Sequence, residues 1–459
     1  MSAKDVSRRQ FLKYAAGGAA AASLPWVFPQ AAPAAGGPAR PNIILCMTDD
    51  QGWGDTGYNG HPVLKTPALD EMASAGLRFD RFYAAAPVCS PTRGSVLTGR
   101  HPNRFGCFTY GKPIRKQEVT LAQAVKRAGY TTGHFGKWHL NGRSGPGKPI
   151  PATDPLNPGA LGFDEWLSVS NYFDLDPKMS HNGQTVQLKG DGSDVIVDQA
   201  LKFVGKAAGA KKPFLAVIWY GSPHNPHRAL AADKAPYAGR PAREQNYCGE
   251  LAAVDRSIGR LRKELRRLGI AGNTLLWFCS DNGGAFGKRS TGGLRGQKAS
   301  LWEGGVRVPG IIEWPRRIPK PAATAVPCST MDIYPTVVDL LGIKVPNQPQ
   351  PIDGVSLAPL LDGKMTNRPK PMPFWVYRGK GGHATLIDNR YKLHLHPRKR
   401  RRGRAALGTV LLYDLVKDPK ETTDLAPQQP DRVKAMRATL EDWQKSVRNS
   451  LAKKDYKTG

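Results

Sequence analysis

Three short apolar runs, each closed by a polar turn, constrain the fold of this chain more than any other feature. They cover residues 42–47, 214–220 and 274–279. Runs of this length without polar alternation are buried on both faces, as strands of a parallel sheet are. Amphipathic segments lie between them. Leu251, Val254, Ile258, Leu261, Leu265 and Leu268 recur at spacings of three and four, with Arg and Lys on the other side. That is the apolar stripe of a helix, and residues 194–206 and 331–341 read the same way. Strands alternating with helices predict an α/β fold, a largely parallel sheet with helices on both faces. At 459 residues the chain has room for two domains. The Pro-rich stretch 367–373 marks a boundary, followed by strand-like pieces at 374–377, 391–395 and 411–414 and a final helix from 430 to 453. The expected division is a leader at 1–34, a main domain at 35–370 and a smaller domain at 371–459, the last a short antiparallel sheet with a helix.

The leader carries its own signal. Ser7-Arg8-Arg9-Gln10-Phe11-Leu12-Lys13 precedes an apolar run at 14–28, and Ala32-Pro33-Ala34 follows as a small-residue cleavage site. The run is short of the roughly 20 residues that span a bilayer. Paired arginines ahead of such a run predict a twin-arginine export signal. The translocase of that pathway is then a partner, the location is periplasmic or secreted, and no membrane span remains after signal removal.

Charge narrows the partners. Lys and Arg number 67 against 37 Asp and Glu, a net charge of +30. A field of that sign favours polyanions. Nucleic acid is set aside, because no recognised binding motif accompanies the charge and the chain is exported. The basic run Arg398-Lys399-Arg400-Arg401-Arg402-Gly403-Arg404 reads as a solvated hairpin loop. Six cysteines, at 46, 89, 107, 248, 279 and 328, are too few for a disulfide framework in a chain of this size. Cys46 and Cys279 sit inside apolar runs as small hydrophobes.

Chemistry concentrates at the ends of the apolar runs. The first ends in Asp49-Asp50 and the third in Asp281-Asn282-Gly283-Gly284. Ligands of open α/β sheets sit beyond the carboxyl ends of strands. Three carboxylates and an amide oxygen delivered there suit Ca²⁺ or Mg²⁺ better than zinc. Cys89-Ser90-Pro91-Thr92-Arg93 opens a helix with Pro91 in its first turn, a place that welcomes anions. Lys137-Trp138-His139 stands in a Gly-flanked turn, His224 follows the second run, and Lys298 closes Leu294-Arg-Gly-Gln-Lys298. Loops of this kind are where catalytic groups tend to sit.

These motifs together resemble the formylglycine-dependent sulfatases of the alkaline phosphatase superfamily, over residues 41–427. The resemblance is carried by Cys89-x-Pro91-x-Arg93 with Leu97-Thr98-Gly99-Arg100, by Asp49-Asp50-Gln-Gly-Trp-Gly-Asp55, and by Trp302-Glu-Gly-Gly-Val-Arg307. Thr66-Pro-Ala-Leu-Asp70, Gly76-Leu-Arg-Phe79, Tyr391-Lys-Leu-His394 and Leu412-Tyr-Asp-Leu415 with Asp418-Pro-Lys-Glu421 also fit. It implies an alkaline-phosphatase-like α/β/α sandwich with a large, mostly parallel mixed sheet. It implies that a maturation enzyme oxidises Cys89 to formylglycine. One hydroxyl of the hydrated aldehyde attacks sulfur and the other expels sulfate. Asp49, Asp50, Asp281 and Asn282 would hold one Ca²⁺ with the oxygen at position 89. Arg93 and Lys137 would hold the hydrated aldehyde and the sulfate oxygens. His139 would act as base for elimination, and His224 and Lys298 would bind sulfate and assist departure of the alcohol. Export, charge and the string Ser222-Pro-His224-Asn-Pro-His227-Arg228 point to a sulfated sugar of a polysaccharide, with His227 and Arg228 as sugar contacts. The alternatives are a phosphonate or phosphodiester hydrolase using the same nucleophile, and a catalytically silent polyanion-binding protein.

Overall fold

The first apolar run forms the strand Asn42–Thr48, which lies inside a ten-stranded sheet. Its side chains divide by alternation: Ile43, Leu45 and Met47 enter one hydrophobic cluster, and Ile44 and Cys46 enter another on the opposite face. That explains why the run has no polar positions: neither face meets water. The computed structural model describes residues 40–376, 382–397 and 408–456. The leader expected at 1–34 and the basic run 398–404 lie outside the described residues.

The sheet order is Ala322–Thr324, Leu77–Phe79, Gly310–Glu313, Thr274–Ser280, Asn42–Thr48, Phe214–Trp219, Thr131–Lys137, Glu165–Val169, Lys178–His181, Gln184–Gln187. The five strands from Thr274–Ser280 to Glu165–Val169 run parallel. Pairing turns antiparallel at Gly310–Glu313 on one flank and at Lys178–His181 on the other. Residues of Cys89–Thr98, Leu121–Lys126 and Ile333–Leu340 join the first cluster. Residues of Pro67–Ala75, Gly192–Gly209 and Ala242–Arg267 join the second. The expected mixed, mostly parallel sheet with helices on both faces is what the chain adopts.

One local expectation needs correction. The sequence predicts Lys137 in a Gly-flanked turn, but it is the last residue of the strand Thr131–Lys137, inside the sheet. Thr, Gly and His residues hide this strand from an apolar-run search. Its polar side chains find partners on other strands, as where His134 Nδ1 meets Ser168 Oγ at 2.7 Å.

Beyond Leu361 the strands Met372–Trp375, Ala384–Asp388, Tyr391–Leu395 and Val410–Asp414 form a four-stranded antiparallel sheet. The helix Pro430–Leu451 covers it through Met436, Leu440 and Val447. A buried ionic network ties this sheet to the rest. Lys392 Nζ lies 2.9 Å from Glu303 Oε1 and 3.1 Å from Glu421 Oε1, and His394 Nε2 lies 2.7 Å from Glu421 Oε1. The described residues from Arg40 onward hold together as one unit.

Candidate active site

Neighbouring parallel strands deliver the acidic pairs side by side. Thr48 and Ser280 are register partners, so Asp49-Asp50 and Asp281-Asn282 leave the sheet together. Lys137 ends the strand two places away, and Phe214–Trp219 leads to His224. All of these lie at the carboxyl edge, where open α/β sheets bind ligands. Cys89 begins the helix Cys89–Thr98, every residue of which is buried.

The thiol faces the carboxylates. Cys89 Sγ lies 3.4 Å from Asp49 Oδ1. One ligand atom each from Asp49, Asp50, Cys89 and Asp281 fall within 4.8 Å of one another. Cations brace the carboxylates from outside. Arg93 donates to Asp281 Oδ2 from Nε at 3.0 Å and from Nη2 at 2.7 Å, and its Nη1 donates to the Lys137 carbonyl at 3.1 Å. Its guanidinium also stacks 5.2 Å from the Trp219 ring. Lys137 Nζ donates to Asp49 Oδ2 at 2.5 Å and Lys298 Nζ to Asp50 Oδ2 at 2.6 Å. His224 Nε2 stands 3.9 Å from Asp50 Oδ2.

Burial sets the electrostatics. It would raise the Asp50 carboxyl, but Lys298 and His224 outweigh it and hold the group at about 2. Asp281, buried beside Asp49, is pushed up to about 6 despite Arg93. Burial, with Asp281 and Asp49, pushes the Cys89 thiol well up, so the thiol itself is no ready nucleophile here. His139 is held neutral by burial and by Lys137 and Arg93, and neither of its ring nitrogens has a partner among the described residues. His224 is lowered to about 3 by burial and Lys137. Asp50 and His139 both adopt left-handed backbone, at φ 70° and 56°. Such conformations are uncommon for residues with a Cβ and cluster at functional sites.

The residues suit a hard divalent cation. Asn282 Nδ2 donates to Asp50 Oδ1 at 2.8 Å, while its Oδ1 is buried without a partner among the described residues. An orphaned amide oxygen beside three carboxylates is an oxygen donor set of the kind that Ca²⁺ takes. A cation there would also relieve the repulsion between Asp49 and Asp281.

The structure therefore brings together Asp49, Asp50, Cys89, Arg93, Lys137, Asp281, Asn282, Lys298 and, at the margin, His224. It does not bring His227 and Arg228 into the cluster. His227 Nδ1 turns to Glu250 at 3.8 Å, and Arg228 Nη1 turns outward to Asp174 at 3.3 Å. Sequence reasoning missed Tyr172, whose ring stacks on His224 with centroids 4.4 Å apart and planes 12° apart. Tyr172 follows the strand Glu165–Val169, and recognising that strand would have exposed it.

The chain is similar to several known proteins. The Sulfatase family profile matches residues 41–343, and a profile described as N-sulphoglucosamine sulphohydrolase, C-terminal, matches 296–448. A twin-arginine translocation signal profile matches 5–25. N-acetylgalactosamine-6-sulfatase of Canis lupus familiaris is 34% identical over 410 residues, covering 79% of this chain and 73% of that protein. An ulvan-active sulfatase of Formosa agariphila is 32% identical over 345 residues, covering 71% of this chain and 65% of that protein. The crystal structure of Ps i-CgsB in complex with k-i-k-neocarrahexaose is similar at TM-score 0.78 and 27% identity, over 88% of this chain and 92% of that one.

Proposed function

The chain belongs to the sulfatase family and is an exported hydrolase of sulfate esters, and from that premise we propose that it acts on sulfated sugars through a formylglycine made from Cys89 and a bound Ca²⁺. The observation that carries the reading is the 3.4 Å approach of Cys89 Sγ to Asp49 Oδ1 within the carboxylate cluster. The sulfur marks where the oxygen of the oxidised side chain would stand. The named relatives support the substrate class, one by N-acetylgalactosamine 6-sulfate and another by ulvan.

When bound, Ca²⁺ supplies positive charge that polarises a sulfate ester and favours an anionic nucleophile. The hydrated aldehyde supplies one oxygen for attack and a second for release. The remaining work falls to the protein's own side chains. Asp49, Asp50, Asp281 and the Asn282 amide oxygen hold the cation. Arg93 fixes Asp281 and the Lys137 carbonyl in one grip and thereby sets the spacing of two strand ends. Lys137 and Lys298 present ammonium groups toward the position that sulfate oxygens occupy. Preorganised donors of this kind contribute about a hundredfold each. His139, neutral and without a partner among the described residues, accepts the proton of the remaining hydroxyl, which collapses to the aldehyde as sulfate leaves. His224 and Lys298, each about one-fifth exposed, stand where the alcohol leaves.

Access orders the events in time. Cys89, Ser90, Pro91, Thr92 and Arg93 are all buried in the folded chain, so a maturation enzyme reads them before folding closes over them. Twin-arginine export then carries a chain already folded and already modified.

Cys89→Ala tests the reading. The variant, expressed beside a maturation enzyme, folds, binds Ca²⁺ in a calorimetric titration and releases no sulfate from 4-nitrophenyl sulfate. Retained sulfate release would overturn the mechanism, and a large preference of the unaltered protein for the matched phosphate ester would overturn the substrate class.

A further inference from the structure

The loop between Cys89–Thr98 and Leu121–Lys126 holds one large ring in solvent. Tyr110 is 59% exposed. A single exposed aromatic is ordinary, but the anchoring of this one is not. The Gly111 N–H donates to Ser90 Oγ at 2.9 Å, the side chain next to Cys89. Cys107 Sγ donates to the Lys112 carbonyl at 3.2 Å, closing the loop at its base. Gly111 has φ 70°, and a Cβ there would lie 3.0 Å from the Ser144 Cβ, so the backbone is seated closely against the next loop. Tyr110 is thus fixed in position relative to the nucleophile while its ring faces water.

The ring stands on the wall of a cavity of about 230 Å³, shared with Phe108, Trp375, Asn103 and Pro91. A backbone bridge between two lining residues joins this cavity's wall to the segments that carry the sulfate pocket. The Ala299 N–H donates to the Pro87 carbonyl at 2.8 Å. Lys298, whose Nζ reaches Asp50, adjoins one side of that bridge, and Cys89 lies two residues from the other.

The lining states what fits. Ordinary ligand pockets run from about 300 Å³ upward, so this cavity has room for one ring. Apolar and aromatic walls with a few polar groups suit a pyranose, whose C–H face stacks on an aromatic ring while its hydroxyls reach polar partners. Among the described residues the lining holds no Lys, Arg, Asp or Glu. The described walls therefore offer an aromatic stacking surface with polar partners for a sugar ring.

We infer that this cavity seats the sugar unit adjoining the one that bears the sulfate, with Tyr110 as its stacking platform. This rests on the reading of the Cys89 site as a sulfatase centre acting on sugars. The preferred substrate is then at least a disaccharide, its second unit crossing the Ala299–Pro87 bridge.

Chain length and Tyr110 test it together. The probes are 4-nitrophenyl sulfate, monosulfated galactose and N-acetylgalactosamine, and disaccharides carrying the same sulfated units. The protein favours the better disaccharide over its own monosaccharide by about tenfold in kcat/KM, the size of one aromatic stacking contact. Tyr110→Ala abolishes that gain through KM, Tyr110→Phe keeps it, and both variants hydrolyse 4-nitrophenyl sulfate at the unaltered rate. No disaccharide gain in the unaltered protein, a gain that survives Tyr110→Ala, or equal losses on all three probe classes would each overturn the inference. Turnover of the aryl ester with no sugar hydrolysed would remove the sugar assignment and this cavity's role with it, while leaving the sulfatase chemistry standing. No turnover of any probe would overturn the reading of the Cys89 site itself.

Discussion

Asp49 divides its two oxygens, Oδ1 toward the Cys89 thiol and Oδ2 toward Lys137 Nζ, and the same division of labour runs through the site. Arg93, Lys137 and Lys298 each hold a carboxylate, so removing any of them leaves a buried charge without its partner and harms folding along with activity. His139 differs. Its ring nitrogens bond to nothing among the described residues, so its side chain contributes little to holding the fold. His139→Ala therefore lowers kcat by about 10²–10⁴, the usual range for loss of a general base, while Tm by calorimetry stays near that of the unaltered protein. A fall in Tm large enough to account for the lost activity would show that His139 is structural. The Asp and Cys positions were legible in the sequence because strand ends and the Cys-x-Pro-x-Arg string mark them. Tyr172 was not, since it stands out only once the short strand Glu165–Val169 before it is recognised.

At the scale of elements, one carboxylate links the last helix to the segment that follows Cys89–Thr98. Asp353 accepts from Arg104 Nε at 2.6 Å, Arg104 Nη2 at 2.8 Å, the His101 amide at 2.7 Å and Trp443 Nε1 at 2.9 Å. Arg104 Nη1 adds Ser446 and Ser450, both at 3.0 Å. Asp353→Asn leaves Arg104 buried without its charge partner, and urea unfolding should show a loss of about 3–5 kcal/mol. His101 belongs to the same cluster, and its imidazole is lowered to about 3 by burial. The unfolded chain takes up that proton near pH 6.5 and the folded chain only near 3, so the stabilisation from neutral His101 is complete above about 6.5 and lost as pH falls toward 3. His101→Asn, which keeps a side-chain acceptor for the Asn103 amide, removes this dependence. The stability difference between the two proteins shifts in favour of the variant as pH falls through that window, and a constant difference would refute the assignment. The apolar strands were legible because nothing polar interrupts them. Thr131–Lys137 was not, because its polar groups find partners that are remote in sequence. Gly136 shows the same limit: a Cβ there would lie 1.9 Å from the Trp219 carbonyl oxygen, a requirement that exists only once the two strands are paired.

Across the whole molecule, a cationic exported chain meets a sulfated substrate through two parts of different character. The charged pocket around Cys89 takes the ester, and an aromatic-walled cavity beside it takes sugar. Net charge raises the local concentration of polyanions, and the pocket selects among them. The six cysteines are all free and buried, so the fold needs no disulfide formed after export, as twin-arginine transport of folded cargo requires. Fold class, export and reaction class were legible from patterns within the chain. The seat of the adjoining sugar was not, because its walls come from segments as far apart as Val88, Tyr110, Ala299 and Trp375. The central claim is that turnover belongs to an aldehyde at position 89. Mass spectrometry of the peptide containing Cys89, on preparations co-expressed with graded amounts of a maturation enzyme, measures it beside sulfate release from the same samples. The account predicts that kcat rises in proportion to the fraction of peptide carrying aldehyde in place of thiol and passes through zero with it. Sulfate release from a preparation whose peptide is wholly thiol would contradict it.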